Sequence, residues 1–216
     1  MRTTSRTWIK DPFSAMSHMV GALLSLAGLA VLLMAAHGRP WHTVAFAVYG
    51  LSLVALYTSS AIYHAVHADE RAVRRLQKLD FINIFLLIAG SYTPICLVAL
   101  RGAWGWTLLG IEWGLAVVGI TLVASLRKHP DWVRVALYIV MGWLAILAIS
   151  PLRAALPPAA IRWLLAGGLA YSGGVVFYAT ERPRIWPGKF EGHDIWHLFV
   201  MGGSFCHFML MFLFLT

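Results

Sequence analysis

Residues 103–126, AWGWTLLGIEWGLAVVGITLVASL, run for 24 positions with a single ionisable side chain, Glu112. As a helix rising about 1.5 Å per residue, the run measures about 36 Å, enough to cross a hydrocarbon core of roughly 30 Å. In hydrocarbon every backbone N–H and C=O must find its partner inside the protein, and a helix closes these bonds within one segment. Six further runs share this character, at about 15–36, 42–64, 80–100, 132–151, 160–180 and 193–215. The whole chain agrees: it is 60% hydrophobic and 12% charged with a mean hydropathy of +0.74, whereas about a quarter of a soluble domain is charged. The expectation is an all-α integral membrane protein, a bundle of seven transmembrane helices forming one domain over residues 1–216. A location in the cell's plasma membrane goes with it. The first run follows Arg2, Arg6 and Lys10 as a signal peptide would, but it exceeds the roughly 7–15-residue apolar segment of such peptides and is expected to persist as a helix.

Orientation follows from the loops, because Lys and Arg concentrate on the cytoplasmic side. Arg2, Arg6, Lys10, Arg71, Arg74, Arg75, Lys78, Arg127, Lys128, Arg134, Arg182, Arg184 and Lys189 fall on one side, and only Arg39, Arg101, Arg153 and Arg162 on the other. The N-terminus is therefore expected in the cytoplasm and Thr216 outside. This scatter over short loops also argues against nucleic acid as a partner despite the net charge of +8, since a nucleic-acid binder gathers its basic residues on one face. Cys96 and Cys206 lie far apart inside apolar runs and read as small core residues. Gly110 and Gly114, the Gly167-Gly168 pair and the Gly173-Gly174 pair have the spacing of close helix packing.

Ionisable residues inside a membrane are costly and mark candidate sites. His64 closes the second run in Ser60-Ala-Ile-Tyr-His64, Asp80 opens the third, and His193-Asp-Ile-Trp-His197 opens the seventh. All fall at the cytoplasmic ends of their helices. Residues four apart share a helix face, so His193 and His197 present two imidazoles to one ion, and His64 makes a set of three. Three protein ligands with a fourth position open is the arrangement of catalytic zinc. Asp80 is placed to accept a proton there, and Ser60, one turn before His64, to orient a ligand or water. A plainer reading stands beside this one: imidazoles near a helix end bond lipid headgroups or loop carbonyls. His18, beside Ser14 and Ser17, reads as a hydrogen-bonded helix start. His207, ten residues beyond His197, is expected in a buried hydrogen bond, and Glu112 with a partner on another helix. His37, His42, His67 and His129 read as solvated.

These residues carry a resemblance to the bacterial hemolysin III family, within the wider progestin and adiponectin receptor family. It runs through Asp11-Pro-Phe-Ser14 and His18, Ser60-x3-His64, Asp80, His193-Asp-Ile-Trp-His197 and His207. The resemblance implies a seven-helix bundle with zinc held by His64, His193 and His197, with Asp80 near a zinc-bound water and Ser60 as the serine of the second helix. Asp194 departs from the glutamate of many bacterial members, at a position that is not a ligand. Family members are also likened to alkaline ceramidases, which implies a lipid amide as substrate.

Three functions compete. One is a zinc-dependent intramembrane hydrolase of a lipid amide or ester. Another is a non-enzymatic receptor-like or membrane-homeostasis protein with a structural zinc. The last is a pore-forming hemolysin, which the absence of a repeated polar stripe in the apolar runs disfavours. A membrane lipid is the expected substrate or ligand, and the oligomeric state is open, a homo-oligomer included. The orientation is tested by a reporter fused after Thr216. It should be active only if it works outside the cytoplasm, and cytoplasmic activity overturns the assignment.

Overall fold

The computed structural model describes residues 8–125 and 130–216. Arg2, Arg6, Arg127, Lys128 and His129 lie outside the described residues. Seven long apolar helices make up the fold: α1 Pro12–Ala35, α2 Pro40–Ala65, α3 Glu70–Leu100, α4 Gly102–Ala124, α5 Asp131–Ala155, α6 Pro158–Thr180 and α7 Gly192–Phe214. Each is long enough to span a bilayer. Proline sits in the first turn of α1, α2 and α6, where its missing N–H costs nothing because first-turn donors have no helical partner.

Two helices depart from the expected spans. α3 begins ten residues before Asp80, at Glu70, because Asp69 caps it by accepting bonds from the Arg71 and Ala72 backbone N–H groups at 2.8 and 2.9 Å. Arg71, Arg74, Arg75 and Lys78 therefore lie on a helical extension and not in a loop. Farther along, Pro94 interrupts α3, and Ile95–Leu100 continues as π-helix. α5 runs to Ala155, with a tighter 3₁₀ segment at Leu144–Ala148. Arg134, counted above with the loop cations, is buried on α5. Its guanidinium lies 3.5 Å from the centre of the Phe81 ring and donates to the Tyr178 hydroxyl at 2.8 Å.

The helices pack as a ring: α4 on α3, α3 on α2, α2 on α1, α1 on α7 and α7 on α6, with α5 closing it against α3, α4 and α6 more sparsely. Phe46, Tyr49, Leu53 and Leu56 of α2 fill the centre with Leu210 and Met211 of α7. Ser204 of α7 ties three helices, taking bonds at its hydroxyl from Tyr57 at 2.7 Å and sharing one with Tyr171 at 2.9 Å.

The glycine expectations divide. A Cβ on Gly174 would meet Trp196 and Phe199, and one on Gly167 would run into the His207 ring, so these are close-packing sites. Gly110 and Gly114 have nothing within 4 Å. The face of α4 that packs carries Gly105, Leu108, Glu112, Ala116 and Gly119 instead, and hydropathy alone does not fix that rotation. Cys96 is buried and Cys206 half-buried, both as free thiols.

Gly21 supplies the test of this packing, because a Cβ there would lie 2.6 Å from Tyr57 Cδ1. Gly21→Val should destabilise the purified protein by about 1–3 kcal/mol through overpacking, read as a lowered melting temperature in detergent. Gly110→Val should leave it within about 0.5 kcal/mol of the original.

Candidate metal centre

His64 stands in the last turn of α2 and His193 and His197 in the first turns of α7. Their rings converge with centroids 4.8 to 5.1 Å apart, and one ring nitrogen of each lies within 4.8 Å of the others. His64 Nε2 and His193 Nε2 are 3.4 Å apart. That is long for a hydrogen bond between two nitrogens. It is the edge of a tetrahedron around an ion with metal–nitrogen distances of about 2.0–2.1 Å. His197 Nδ1 is buried and completes no hydrogen bond of good geometry, although the backbone of Ser14 lies alongside. The three histidines therefore form a group able to hold a metal ion.

The first turn of α1 braces this group. Asp11 Oδ2 lies 2.9 Å from His64 Nδ1. A carboxylate only accepts, so Nδ1 carries the proton and Nε2 keeps its lone pair free toward His193. Burial alone would raise the pKa of Asp11, but the bond from His64 and the positive charge of Lys10 outweigh it and hold the carboxyl below its ordinary value. The backbone repeats the link, with Asp11 N donating to His64 O at 2.9 Å and Lys10 N to Ala65 O at 3.3 Å. On the α7 side, the Ser14 hydroxyl donates to Asp194 Oδ1 at 2.7 Å. Asp194 Oδ2 accepts from Glu191 N at 2.9 Å, half of a reciprocal cap that starts α7.

Asp80 reaches the same place from α3, and Ser60 is within hydrogen-bonding reach of its carboxylate. Asp80, Ser60, His193 and His197 all line one cavity of about 120 Å³. Its walls are apolar, with Ile84, Leu87, Ile139, Val175 and Val200 among them. The lining reaches from His193 to His207, fourteen residues of helix or about 21 Å of depth.

Other expectations change. Ser17 does donate to the Ser14 carbonyl at 3.1 Å, but His18 is more than part of a helix start: its ring stacks on His197 at 3.7 Å between centroids, with 12° between planes. His207 completes no hydrogen bond of good geometry, although the backbone of Leu164 lies alongside. Both Glu112 oxygens are buried without a partner, so the expected cross-helix bond is not made. Sequence reasoning did not assign a role to Asp11, although it is the only carboxylate before the first span. It also missed Arg134, which lines the cavity beside Asp80.

The family model described as Haemolysin-III related matches residues 6–208. The chain belongs to the haemolysin III family. It is 40% identical over 205 residues to Hemolysin-3 of Bacillus cereus, covering 94% of this chain and 90% of that protein. The Hemolysin-3 homolog of Bacillus subtilis (strain 168) is 40% identical over 194 residues, 88% of this chain and 87% of that protein. The human Monocyte to macrophage differentiation factor is 27% identical over 172 residues, 78% of this chain and 69% of that protein, which extends the kinship to the wider progestin and adiponectin receptor family. As a haemolysin III protein with seven apolar helices, the chain is a multi-pass membrane protein.

Metal analysis of the purified protein tests the centre. About one ion per chain is expected, most of it lost in His193→Ala or His197→Ala. Asp11→Asn should weaken retention against a chelator by about 10–100-fold, the usual effect of removing a carboxylate that orients a ligating histidine. An unchanged metal content in the two histidine variants sinks the assignment.

Proposed function

We propose that this chain is a zinc-dependent intramembrane hydrolase of a lipid amide or ester, working at the cytoplasmic leaflet. One observation carries the reading: His193 and His197 of the three-histidine group, the Asp80 carboxylate and the Ser60 hydroxyl all line one apolar cavity deep enough for a lipid chain. Three neutral imidazoles are a donor set suited to zinc. Zinc bound there would supply a Lewis acid for a carbonyl oxygen and would make water more acidic. The asymmetry of Lys and Arg supports the cytoplasmic side, and the cavity's apolar walls support a lipid.

The chain's own residues supply the rest of the chemistry. Asp80 takes the proton of the attacking water as the new carbon–oxygen bond forms, then returns it to the nitrogen or oxygen of the leaving group as its bond to carbon breaks. Ser60 holds the carboxylate in orientation. Arg134 puts a permanent positive charge on the same wall, where it favours negative charge gathering on the carbonyl oxygen. Leucine, isoleucine and valine side chains of the wall keep bulk water from the acyl chain.

A second reading has its own support in the bonds from Asp11 to His64 and from Ser14 to Asp194, which make the same residues a clasp between α2 and α7. On that reading the metal fastens helices and a lipid binds without turnover. Turnover separates the two. Zinc-loaded protein should release fatty acid from a panel of long-chain lipid amides and esters. Asp80→Asn should keep its zinc and its fold while losing about 10²–10⁴-fold in rate. No release from any lipid, or release indifferent to both Asp80→Asn and chelation, removes the hydrolase reading.

A further inference from the structure

The far end of the cavity is polar, and nothing in the proposed hydrolysis uses it. His207 lines both the main cavity and a smaller one of about 40 Å³ that continues beyond it. Ser91 lines both as well. These two residues therefore mark a waist between two apolar chambers, bordered also by Gly142 and Gly168. The Ser91 hydroxyl donates to the Leu87 carbonyl at 2.7 Å, and its lone pairs remain able to accept. Both His207 ring nitrogens are buried and complete no hydrogen bond of good geometry. The ring is held in place by Gly167 behind it and Tyr171 edge-on at 5.5 Å. A neutral imidazole offers one donor and one acceptor; the Leu164 backbone lies beside the ring, and a ring nitrogen left without a good bond in an apolar interior is costly.

We propose that His207, with Ser91, forms a second polar subsite that recognises a hydrogen-bonding oxygen on the lipid chain, a hydroxyl or keto group near its middle. The inference deepens the hydrolase reading by naming the class of chain, and rests on it only for which end of the lipid faces the metal. The spacing fits: His207 is ten residues past His197, about 15 Å farther along α7. The oxygen of a chain whose carbonyl faces the histidines arrives at the waist partway along, and the tail beyond continues into the second chamber. A hydroxyl can pair with a free ring nitrogen in either tautomer, accepting from its N–H or donating to its lone pair. An unsubstituted chain leaves His207 without that bond, so discrimination arises from the unpaired group it would bury.

Binding tests this independently of turnover. The probes are a mid-chain hydroxystearate and unsubstituted stearate, titrated against zinc-loaded full-length protein in detergent. The hydroxy acid should bind about three- to tenfold more tightly, the range of one net hydrogen bond. His207→Leu should erase that preference, whereas His207→Gln should retain part of it. Should His207→Leu fail to fold, Gly167→Ala serves: its methyl group displaces the His207 ring from the opposite side, and the preference should fall while zinc content holds. Equal binding of the two acids by the original protein overturns the subsite, as does a preference that survives both His207→Leu and Gly167→Ala. Lack of hydrolysis together with an intact chain preference removes catalysis and leaves the subsite standing.

Discussion

The hydrogen bond from His64 Nδ1 to Asp11 Oδ2 is where the organisation of this protein concentrates. It fixes the tautomer of His64 and turns the other ring nitrogen toward His193, without which the three imidazoles share no centre. The same few residues before and within the first turn of α1 hold α2 through two backbone bonds and α7 through Ser14 and Asp194. The segments being joined are 129 residues apart in sequence. α1 straps their ends together, in addition to the direct bond from Tyr57 of α2 to Ser204 of α7 deeper in the bundle. In water such bonds would compete with solvent, but at the edge of an apolar bundle each unmade one costs more.

Much of the architecture could be read from the sequence because length and apolarity act directly: a run that crosses the bilayer must be a helix. The depth of His64, Asp80, His193 and His197 was legible for the same reason, since position along a spanning helix is position along the membrane normal. Rotation about the helix axis was not legible. Gly110 and Gly114 looked like packing residues but face away from the bundle, and Arg134 looked like a loop cation although its guanidinium is wedged between Phe81 and Tyr178. Hydropathy averages over a helix circumference, so in a chain apolar on every side it does not separate the face toward protein from the face toward lipid.

Asp11 stands in the motif that carries the resemblance, but its role was hidden for a different reason. Its role depends on a contact between the start of one helix and the end of the next, and 53 residues of sequence separate it from His64. The capping of α3 by Asp69 was likewise hidden by a boundary drawn where apolarity begins, whereas helices start where their first N–H groups find acceptors. Both misses concern carboxylates at helix starts, where local hydrogen bonding outweighs hydropathy.

The cavity itself calls for a physical account. Left empty, about 120 Å³ of void would cost on the order of 3 kcal/mol at the rate found for engineered core cavities, and larger side chains at Gly142 or Gly168 would shrink it. Its walls are largely apolar, with ionisable groups at the end where His193, His197, Asp80 and Arg134 meet, Ser91 and His207 at the waist, and tyrosines and Ser172 among the rest of the lining. On the proposed reading, such walls would suit a long chain carrying a reactive carbonyl. The proposed hydrolysis would also suit a metal group at the end of its helices and not at mid-membrane. Hydrolysis needs water and a route for a proton at the reacting carbonyl, while the tail needs dry walls, and only a site at the boundary of the bilayer offers both within one helix length.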